Sequence, residues 1–354
     1  MCSAQRARRW RPEGGAISTD RHDWENPGAF AVAEGVHRIP LPLPGDGLRA
    51  VNVYAIEDGT GLTLIDSGWA LDEARERLEA GLAEIGHELG DVRSFLVTHL
   101  HRDHYTMALT VRRLFGSRVL IGAGEQPSLD VILSRDDRTP NFYGLLLRRC
   151  GAGPVIDRLR RAGPARNPAE WEKPDEWLTG ADEIELPGRK LRVIPTPGHT
   201  RGHVVYADAG HGLLFAGDHV LPHITPSIGF EAARPELPLG DYLASLRLVR
   251  SMPDLRLLPA HGPVADSAHA RIDELTAHHD RRLDACAAVI ASGAVTAYEA
   301  ARQLTWTRRE RQFGELDPFN QMMAVMETAA HLDVLVSQGR LSSSEPDGVL
   351  LYAT

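Results

Sequence analysis

The segment VTHLHRDHYT, residues 97–106, constrains this chain more than any other stretch. It places His99, His101, Asp103 and His104 within six positions, directly after the short apolar run SFLVT. Imidazole is the commonest protein ligand for metal ions. No lysine or glutamate stands beside these rings to pair with them. We therefore predict a metal site here rather than an exposed histidine-rich loop.

The spacing within this segment presents the ligands in two directions. His99 and His101 lie two positions apart at the end of a predicted strand, where alternate side chains face the same side. Asp103 and His104 follow where a helix must begin, so the chain turns and presents them from elsewhere. One short loop thus offers two pairs of ligands to two neighbouring points, which favours two metal ions over one.

Two ions need further ligands, and the rest of the sequence offers three at similar positions. Each follows an apolar, strand-like run and a turn of small residues: His199 in PTPGHT, Asp218 in LLFAGDH and His261 in LLPAHG. Strand ends that converge on one edge of a layered fold are common places for binding sites. Nitrogen and oxygen donors without a thiolate suit zinc, with manganese or iron as alternatives.

With these motifs the chain resembles the metallo-β-lactamase fold superfamily, whose members are αββα-sandwich hydrolases. Asp66 in LIDSG matches the family's supporting acid, and HLHRDH at residues 99–104 matches its H-x-H-x-D-H signature. The three single ligands follow in the expected order, and the match covers roughly residues 34–265. Tyr105 departs from the glycine that commonly follows the signature, which leaves the set of ligands intact.

The resemblance also implies how the ligands are divided and what they do. It divides seven residues between two ions, with the last one bridging: His99, His101 and His199; Asp103, His104 and His261; Asp218. The implied cofactors are two zinc ions, and the implied reaction is attack by a metal-bridging hydroxide, with Asp103 as the catalytic residue that orients the nucleophile or moves its proton. Two divalent ions, two carboxylates and one hydroxide leave a charge of about +1, which favours a small anionic substrate.

The order of predicted elements indicates an α+β fold. Residues 1–28 are predicted to form a poorly ordered, arginine-rich tail that lacks the apolar core of a secretory signal. The catalytic domain is predicted over residues 29–265, as two mixed sheets with helices outside. Within it, residues 125–175 are predicted to form a helical insertion, or cap.

After Asp266 the pattern changes to helices. Residues 266–354 contain three predicted helices and a terminal hairpin around residues 346–348, and they resemble the small winged-helix-like module of some superfamily members, including the β-lactamase-like-2 type. Winged helices often bind DNA, but residues 316–338 contain three acids and no lysine or arginine. We therefore expect this helix to pack on the catalytic domain or on a second subunit of a homodimer, without nucleic acid.

Composition sets the broad class of protein. The three cysteines, Cys2, Cys150 and Cys286, are too few and too far apart for a disulfide framework, which suits a cytoplasmic location. No stretch reaches the roughly 20 apolar residues of a membrane helix. The net charge of −9 argues against a general nucleic-acid binder.

Other histidines are not expected to bind metal. His203, His219 and His223 are expected behind the site or on the surface, and His278 and His279 on an exposed helix face. Taken singly, the three isolated candidates would be turn or capping residues. Their joint order with the cluster makes them candidate ligands.

Four functions remain open from the sequence. The leading one is a dinuclear metal hydrolase of a small ester, thioester or lactam-like carbonyl, with thioester hydrolysis of the glyoxalase II kind as the preferred example. The second is a metal-dependent ribonuclease, favoured by the arginines of residues 143–169, although such a run is more simply a solvated helical face. The third is an iron-dependent oxidoreductase of the same fold, and the fourth a non-catalytic scaffold; the complete ligand set weakens both.

Overall fold

Two mixed β-sheets pack face to face at the centre of the molecule, with helices on both outer faces. This is the α+β class and the αββα sandwich that the sequence predicts. The computed structural model describes residues 22–44, 47–59, 61–134, 142–162, 171–307 and 309–354.

The first sheet has seven strands that lie in chain order. They are β1 Phe30–Ala33, β2 Val36–Pro42, β3 Ala50–Glu57, β4 Leu62–Ile65, β5 Val92–Val97, β6 Arg118–Gly122 and β7 Glu176–Leu178. Strands β1 to β4 pair antiparallel, whereas β4 to β7 pair parallel. Every residue of β3 except its last is buried, because layers cover both faces of this strand.

The second sheet has five strands. They are β8 Glu183–Leu186, β9 Arg189–Pro195, β10 Val204–Asp208, β11 Leu213–Gly217 and β12 Arg256–Pro259. The order along the sheet is β12-β11-β10-β9-β8, and only the β11–β12 pair is parallel. Between the two sheets lies an apolar layer in which Tyr54 and Phe215 meet edge to face at 5.5 Å.

Helices cover the outer faces of both sheets. In chain order they are α1 Asp72–Glu84, α2 Arg102–Phe115, α3 Gln126–Ser134, α4 Phe142–Arg149, α5 Gly153–Ala162, α6 Pro238–Arg250, α7 Ala268–Ala291, α8 Ala297–Gln303 and α9 Pro318–Ser337. Helices α1 and α2 pack on the first sheet, and α6 and α7 on the second. Helix α2 ends at Gly116, whose φ of 79° is the left-handed conformation that glycine adopts without strain.

The predicted cap contains α3, α4 and α5, while its residues 135–141 and 163–170 lie outside the described part of the chain. Helices α4 and α5 contact α9 of the C-terminal region. That region also has the strand pair β13 Thr305–Trp306 and β14 Arg311–Gln312, and the hairpin of β15 Ser342–Ser344 and β16 Leu351–Ala353. The predicted domain boundaries and the winged-helix likeness stay predictions.

The start of the chain is described only from residue 22 onward, so most of the predicted tail lies outside the described residues. A short 3-10 turn spans Asp23–Glu25, and the carbonyl of Trp24 accepts a hydrogen bond from Arg38 at 2.6 Å. Within the described ranges, no helix combines the length and the apolar character needed to cross a bilayer.

One expectation about the C-terminal helices is wrong. His279 was expected on an exposed helix face, but its ring is fully buried between α7 and α9. There its Nδ1 lies 3.1 Å from Nε2 of His331, which belongs to α9. The buried face of α7 is set by its tertiary partner, which local spacing does not show.

Candidate metal centre

Strand ends bring the predicted ligands to one edge of the sandwich. His99 follows β5, His199 follows β9, Asp218 follows β11 and His261 follows β12. The remaining three stand where α2 begins, with His101 as its N-cap residue and Asp103 and His104 in its first turn. All seven predicted residues therefore face one another, although they come from both sheets.

The first group consists of three imidazoles and a carboxylate. Nε2 of His199 lies 3.2 Å from Nε2 of His99 and 3.1 Å from Nδ1 of His101. Oδ2 of Asp218 lies 3.4 Å from the same His199 nitrogen. One donor atom from each of the four residues falls within 4.8 Å of the others, which is close enough for a single ion to contact all of them.

The second group adjoins the first. Oδ2 of Asp103 lies 3.4 Å from Nε2 of His104 and 3.4 Å from Nε2 of His261. The other oxygen of Asp218, Oδ1, lies 3.3 Å from His261 Nε2 and 3.7 Å from His104 Nε2. Asp218 thus presents one oxygen to each group, the position that a bridging ligand would have.

Hydrogen bonds on the outer side of the rings set which nitrogen carries the proton. Three rings bond main-chain carbonyls: His101 Nε2 to Phe230 at 2.8 Å, His199 Nδ1 to Ser227 at 2.6 Å and His261 Nδ1 to Ala50 at 2.7 Å. A carbonyl can only accept, so the bonded nitrogen must be the donor. In the neutral ring, the inward-facing nitrogen then carries a lone pair that can bind a metal ion.

Asp66 determines which nitrogen carries the proton in the other two rings. Its Oδ2 accepts from Nδ1 of His104 at 2.9 Å, and its carboxylate also accepts from the amide and the hydroxyl of Thr98. Because that hydroxyl donates to Asp66, its oxygen is available to accept from Nδ1 of His99 at 3.0 Å. In the neutral forms of His99 and His104, the inward nitrogens therefore carry lone pairs as well.

Five lone pairs and two carboxylates thus face one another. Within the described residues, Nε2 of His104, Nε2 of His261 and Oδ1 of Asp218 have no hydrogen-bond partner. Buried acceptors that face only other acceptors repel unless a cation lies between them. The side chains present therefore fit divalent metal ions, and nitrogen and carboxylate donors without a thiolate suit zinc.

Without a metal ion, the neighbouring carboxylates favour a proton on His104, at the side of the ring where a cation would otherwise be bound. Burial and the neighbouring His199 lower the pKa of His101 to about 3, so this ring stays neutral. Burial also opposes charge on His104, but the nearby carboxylates, Asp103 foremost, raise its pKa well above the usual value. Although burial acts in the opposite direction, His104 and His261 hold the pKa of Asp103 well below its usual range, so this carboxylate is ionised.

Two residues that were not predicted from the sequence, Asn52 and Tyr54, support the His261 turn. The amide of Asn52 donates to the carbonyls of Pro259 and Gly262, both at 2.9 Å, and the Tyr54 hydroxyl donates to Pro259 at 2.8 Å. Asn52 is fully buried in β3. The sequence does contain a signal for Asn52, because it is the polar residue in the otherwise apolar run AVNVYA. A buried amide needs hydrogen-bond partners, and here they lie across the sheet.

His203 lies directly behind the first group, as expected. Its ring stacks on that of His99 at 5.1 Å between centroids. Its Nδ1 bonds the Thr196 hydroxyl at 2.8 Å, and its Nε2 accepts from the amide of Asp218 at 3.2 Å. Both nitrogens are thus engaged, so His203 supports the two ligands beside it and offers no donor atom of its own.

Comparison with known proteins now decides the family. Residues 46–261 match the model of the metallo-beta-lactamase superfamily. The chain belongs to this superfamily. The probable metallo-hydrolase YqjP of Bacillus subtilis is 26% identical over 328 residues, which cover 90% of this chain and 96% of YqjP. The crystal structure of a beta-lactamase domain protein from Burkholderia ambifaria has 29% identity and a TM-score of 0.75, and the match covers 92% of this chain and 94% of that one.

Two other relatives carry more specific names. The beta-lactamase-like protein 2 homolog of Caenorhabditis elegans is 34% identical over 252 residues, which cover 71% of this chain and 69% of that protein. An atrochrysone carboxyl ACP thioesterase of Aspergillus fumigatus is 24% identical over 256 residues, which cover 71% of this chain. That match spans only 48% of the thioesterase.

Proposed function

We propose that this protein is a hydrolase that uses two zinc ions to cleave a small ester, thioester or related carbonyl compound. The observation that carries the proposal is the pair of adjoining donor groups with one oxygen of Asp218 directed at each. A single structural zinc site would need only four ligands and no shared carboxylate. Seven converging donors therefore favour two ions, with manganese or iron as alternatives to zinc.

Different residues of the chain would have different roles in the reaction. Divalent ions bound in the two groups would supply activated water and polarise the substrate carbonyl. Asp103 is ionised and partly exposed, at 19% of its side chain, and it directs Oδ2 toward His104 and His261. It is therefore placed to orient the attacking water and accept its proton. Asp66 and Thr98 keep the rings behind it in the tautomers that bind metal.

An aromatic surface beside the first group supports a substrate with an apolar part. The Phe230 ring lies 5.9 Å from the His101 ring and stacks on Tyr143 of the cap at 4.8 Å. The Phe319 ring, which is half exposed, and the Phe230 ring meet edge to face, with their centroids 5.7 Å apart. A thioester with an apolar acyl or thiol group would contact these rings, and the relative named as a thioesterase supports that substrate class.

No contact in the described residues favours the ribonuclease alternative. Two of the arginines on which it depends bind the protein itself: Arg149 pairs with Glu345 at 2.8 Å, and Arg158 donates to Gln321 at 3.0 Å. Arg166 lies outside the described residues. We also propose that the substrate is a small anion, that the chain forms a homodimer and that it is located in the cytoplasm.

The test is a substrate screen of zinc-loaded protein with acyl-coenzyme A, glutathione thioester, lactone and RNA. We expect turnover of a thioester or other ester. Asp103→Ala should lower kcat/KM by at least about 100-fold, the scale of general acid–base catalysis. The control is Asp208→Asn, which changes a buried carboxylate that is not a candidate ligand and pairs with Arg189 on the second sheet at 2.6 Å.

Three outcomes would overturn the proposal. Unchanged turnover in Asp103→Ala would remove the proposed role of this acid. Turnover of RNA alone would favour the ribonuclease. One iron per chain and no zinc, in protein purified without added metal, would favour the oxidoreductase.

A further inference from the structure

A single loop supplies the acceptors for two of the candidate ligands. The carbonyls of Ser227 and Phe230 bond His199 and His101. The amide of Gly229, between them, donates to the carbonyls of Gly198 at 3.0 Å and His199 at 3.1 Å. The orientation of both rings therefore depends on where residues 227–231 lie.

Glu231 fixes the end of this loop. Its side chain is buried, with Oε1 accepting from the amide of Arg201 at 2.8 Å and Oε2 from the hydroxyl of Ser128 at 2.8 Å. The Ser128 oxygen in turn accepts from the amide of Ala233 at 3.2 Å. One carboxyl thus joins the acceptor loop to the His199 loop and to α3 of the cap.

Glu125 makes the matching connection from the other side. Its side chain is fully buried, its Oε1 accepts from the hydroxyl of Thr200, and the amide of Leu100 bonds the same carboxyl. Leu100 stands between two candidate ligands, His99 and His101, and Thr200 directly follows a third. Glu125 therefore connects the two loops that carry the first donor group.

The backbone beside Glu125 is in contact with the backbone of the His199 loop, so the side chains at this contact have little freedom to move. A Cβ on Gly202 would lie 2.0 Å from the amide nitrogen of Glu125, and a Cβ on Gly124 would lie 2.7 Å from the Cα of Gly202. Only glycine permits this approach. A shift of Glu125 would thus move the His199 loop directly.

The two acids also influence each other's protonation. Burial raises the pKa of Glu125 to about 7. Burial and the negative charge of Glu125 raise the pKa of Glu231 to about 8. Near neutral pH the pair therefore holds at least one proton, which limits the cost of burying two interacting carboxyl groups.

We propose that Glu125 and Glu231 form a carboxyl clamp that positions His99, His101 and His199 for metal binding. The clamp acts on the ligands through Leu100, Thr200 and the loop of residues 227–231, and it touches neither metal nor substrate. This inference rests on the proposed metal binding. It extends the proposed function by naming positioning residues for one of the two donor groups.

The test measures cobalt binding to metal-free protein by visible absorption, which reports the geometry of each Co²⁺ ion. In Glu231→Ala we expect one of two ions to bind about 10-fold more weakly, the lower end of the range for groups that orient metal ligands, with an altered spectrum for that ion. The other ion should bind as in the wild type, because Asp103, His104 and His261 do not depend on the clamp.

Glu231→Gln is the conservative variant. Its amide oxygen can accept from Arg201 and its amide nitrogen can donate to the Ser128 oxygen, as a protonated carboxyl would. We therefore expect cobalt affinity within about 3-fold of the wild type and an unchanged spectrum. Asp208→Asn is the control for loss of a buried carboxylate elsewhere, and it should lower thermal stability without changing the spectrum.

The outcomes separate this inference from the proposed function. Wild-type protein that binds no cobalt would remove both. Wild-type binding of two ions, with Glu231→Ala retaining both affinities and the spectrum, would remove only the clamp. If Glu231→Ala does not fold, Ser128→Ala is the second variant, because it removes one hydrogen bond of the clamp. It should lower the affinity for the same Co²⁺ ion by about 3-fold. An unchanged affinity in that variant would equally contradict the clamp.

Discussion

Asp66 supports the metal centre from a strained backbone position. Its φ is 60°, and its carboxylate holds both the His104 ring and Thr98. We predict that Asp66→Asn lowers zinc affinity by about 10- to 100-fold, because the amide offers one acceptor oxygen where the carboxylate offers two. Asparagine tolerates the left-handed conformation, so the fold should be retained. Competition with a chromophoric chelator measures the affinity.

The same chemical change at Asp208 is the control for that prediction. Asp208→Asn also removes a buried charge, but it lies on β10 and pairs with Arg189. Its zinc affinity should match the wild type while its stability falls. Equal zinc affinities in the two variants and the wild type would show that Asp66 does not support the ligands.

At the scale of elements, the His199 loop depends on close contact with α6. Gly198 has a φ of 138°, and a Cβ there would lie 2.4 Å from the Cα of Tyr242 in α6. Because the obstacle is backbone, Gly198→Ala must move the helix or the loop. We predict a loss of more than about 2 kcal/mol in the free energy of unfolding, measured with urea, together with weaker zinc binding.

Gly188→Ala separates the steric contribution from backbone strain. Gly188 also has a positive φ, 75°, but a Cβ there would meet nothing within 4 Å. Its substitution should cost only about 1–2 kcal/mol, the penalty of a left-handed conformation, and leave zinc affinity unchanged. A Gly198 variant no worse than the Gly188 variant would contradict the proposed contact.

Whether a feature can be predicted from the sequence depends on whether it has a local sequence pattern or depends on residues distant in the chain. The ligands were predictable because each follows a strand end in a recognisable local pattern, and Asp66 because its motif resembles a known family. The carbonyls of Ser227 and Phe230 were not, since any residue can supply a main-chain acceptor. Nor was the burial of His279, which depends on a residue 52 positions away.

The buried pair of His279 and His331 predicts that the stability provided by the contact between α7 and α9 depends on pH. His331 donates through Nδ1 to the carbonyl of Glu327 at 2.8 Å and faces His279 through Nε2. Burial lowers the pKa of His331 to about 4, and the positive charges of Arg282 and His278 act in the same direction. The unfolded ring titrates near 6.5, so between pH 6.5 and 4 the unfolded state binds more protons. The free energy of unfolding should therefore fall as the pH falls through this range.

A double variant, His279→Leu with His331→Leu, tests this dependence. Between pH 7 and pH 4.5, the wild type should lose at least about 2–3 kcal/mol more stability than the variant, because burial lowers the pKa of His279 as well. Urea unfolding of metal-free protein measures the difference, and the partly buried Glu327 carboxyl remains in both proteins. Parallel stability curves for the two proteins would contradict a contribution from the pair.

At the scale of the whole molecule, one apolar core joins the second sheet to the C-terminal helices. Leu214 of β11, Leu246 of α6, Leu275 of α7 and Leu335 of α9 are all buried in it. Regions that unfold separately normally have cores of their own. Residues 266–354 share theirs with α6 and the sheet, so they cannot unfold without exposing the layer behind the metal centre.

We therefore predict a single calorimetric transition for the whole chain. Leu335→Ala, in the last turn of α9, should cost about 2–5 kcal/mol as a buried truncation. Because the core is shared, this substitution should lower the temperature of helix melting and the temperature of cobalt release by the same amount. Two resolved transitions, with the cobalt spectrum surviving the first, would instead show that the C-terminal helices form an independent domain, and that the shared apolar contacts do not couple them to the metal centre.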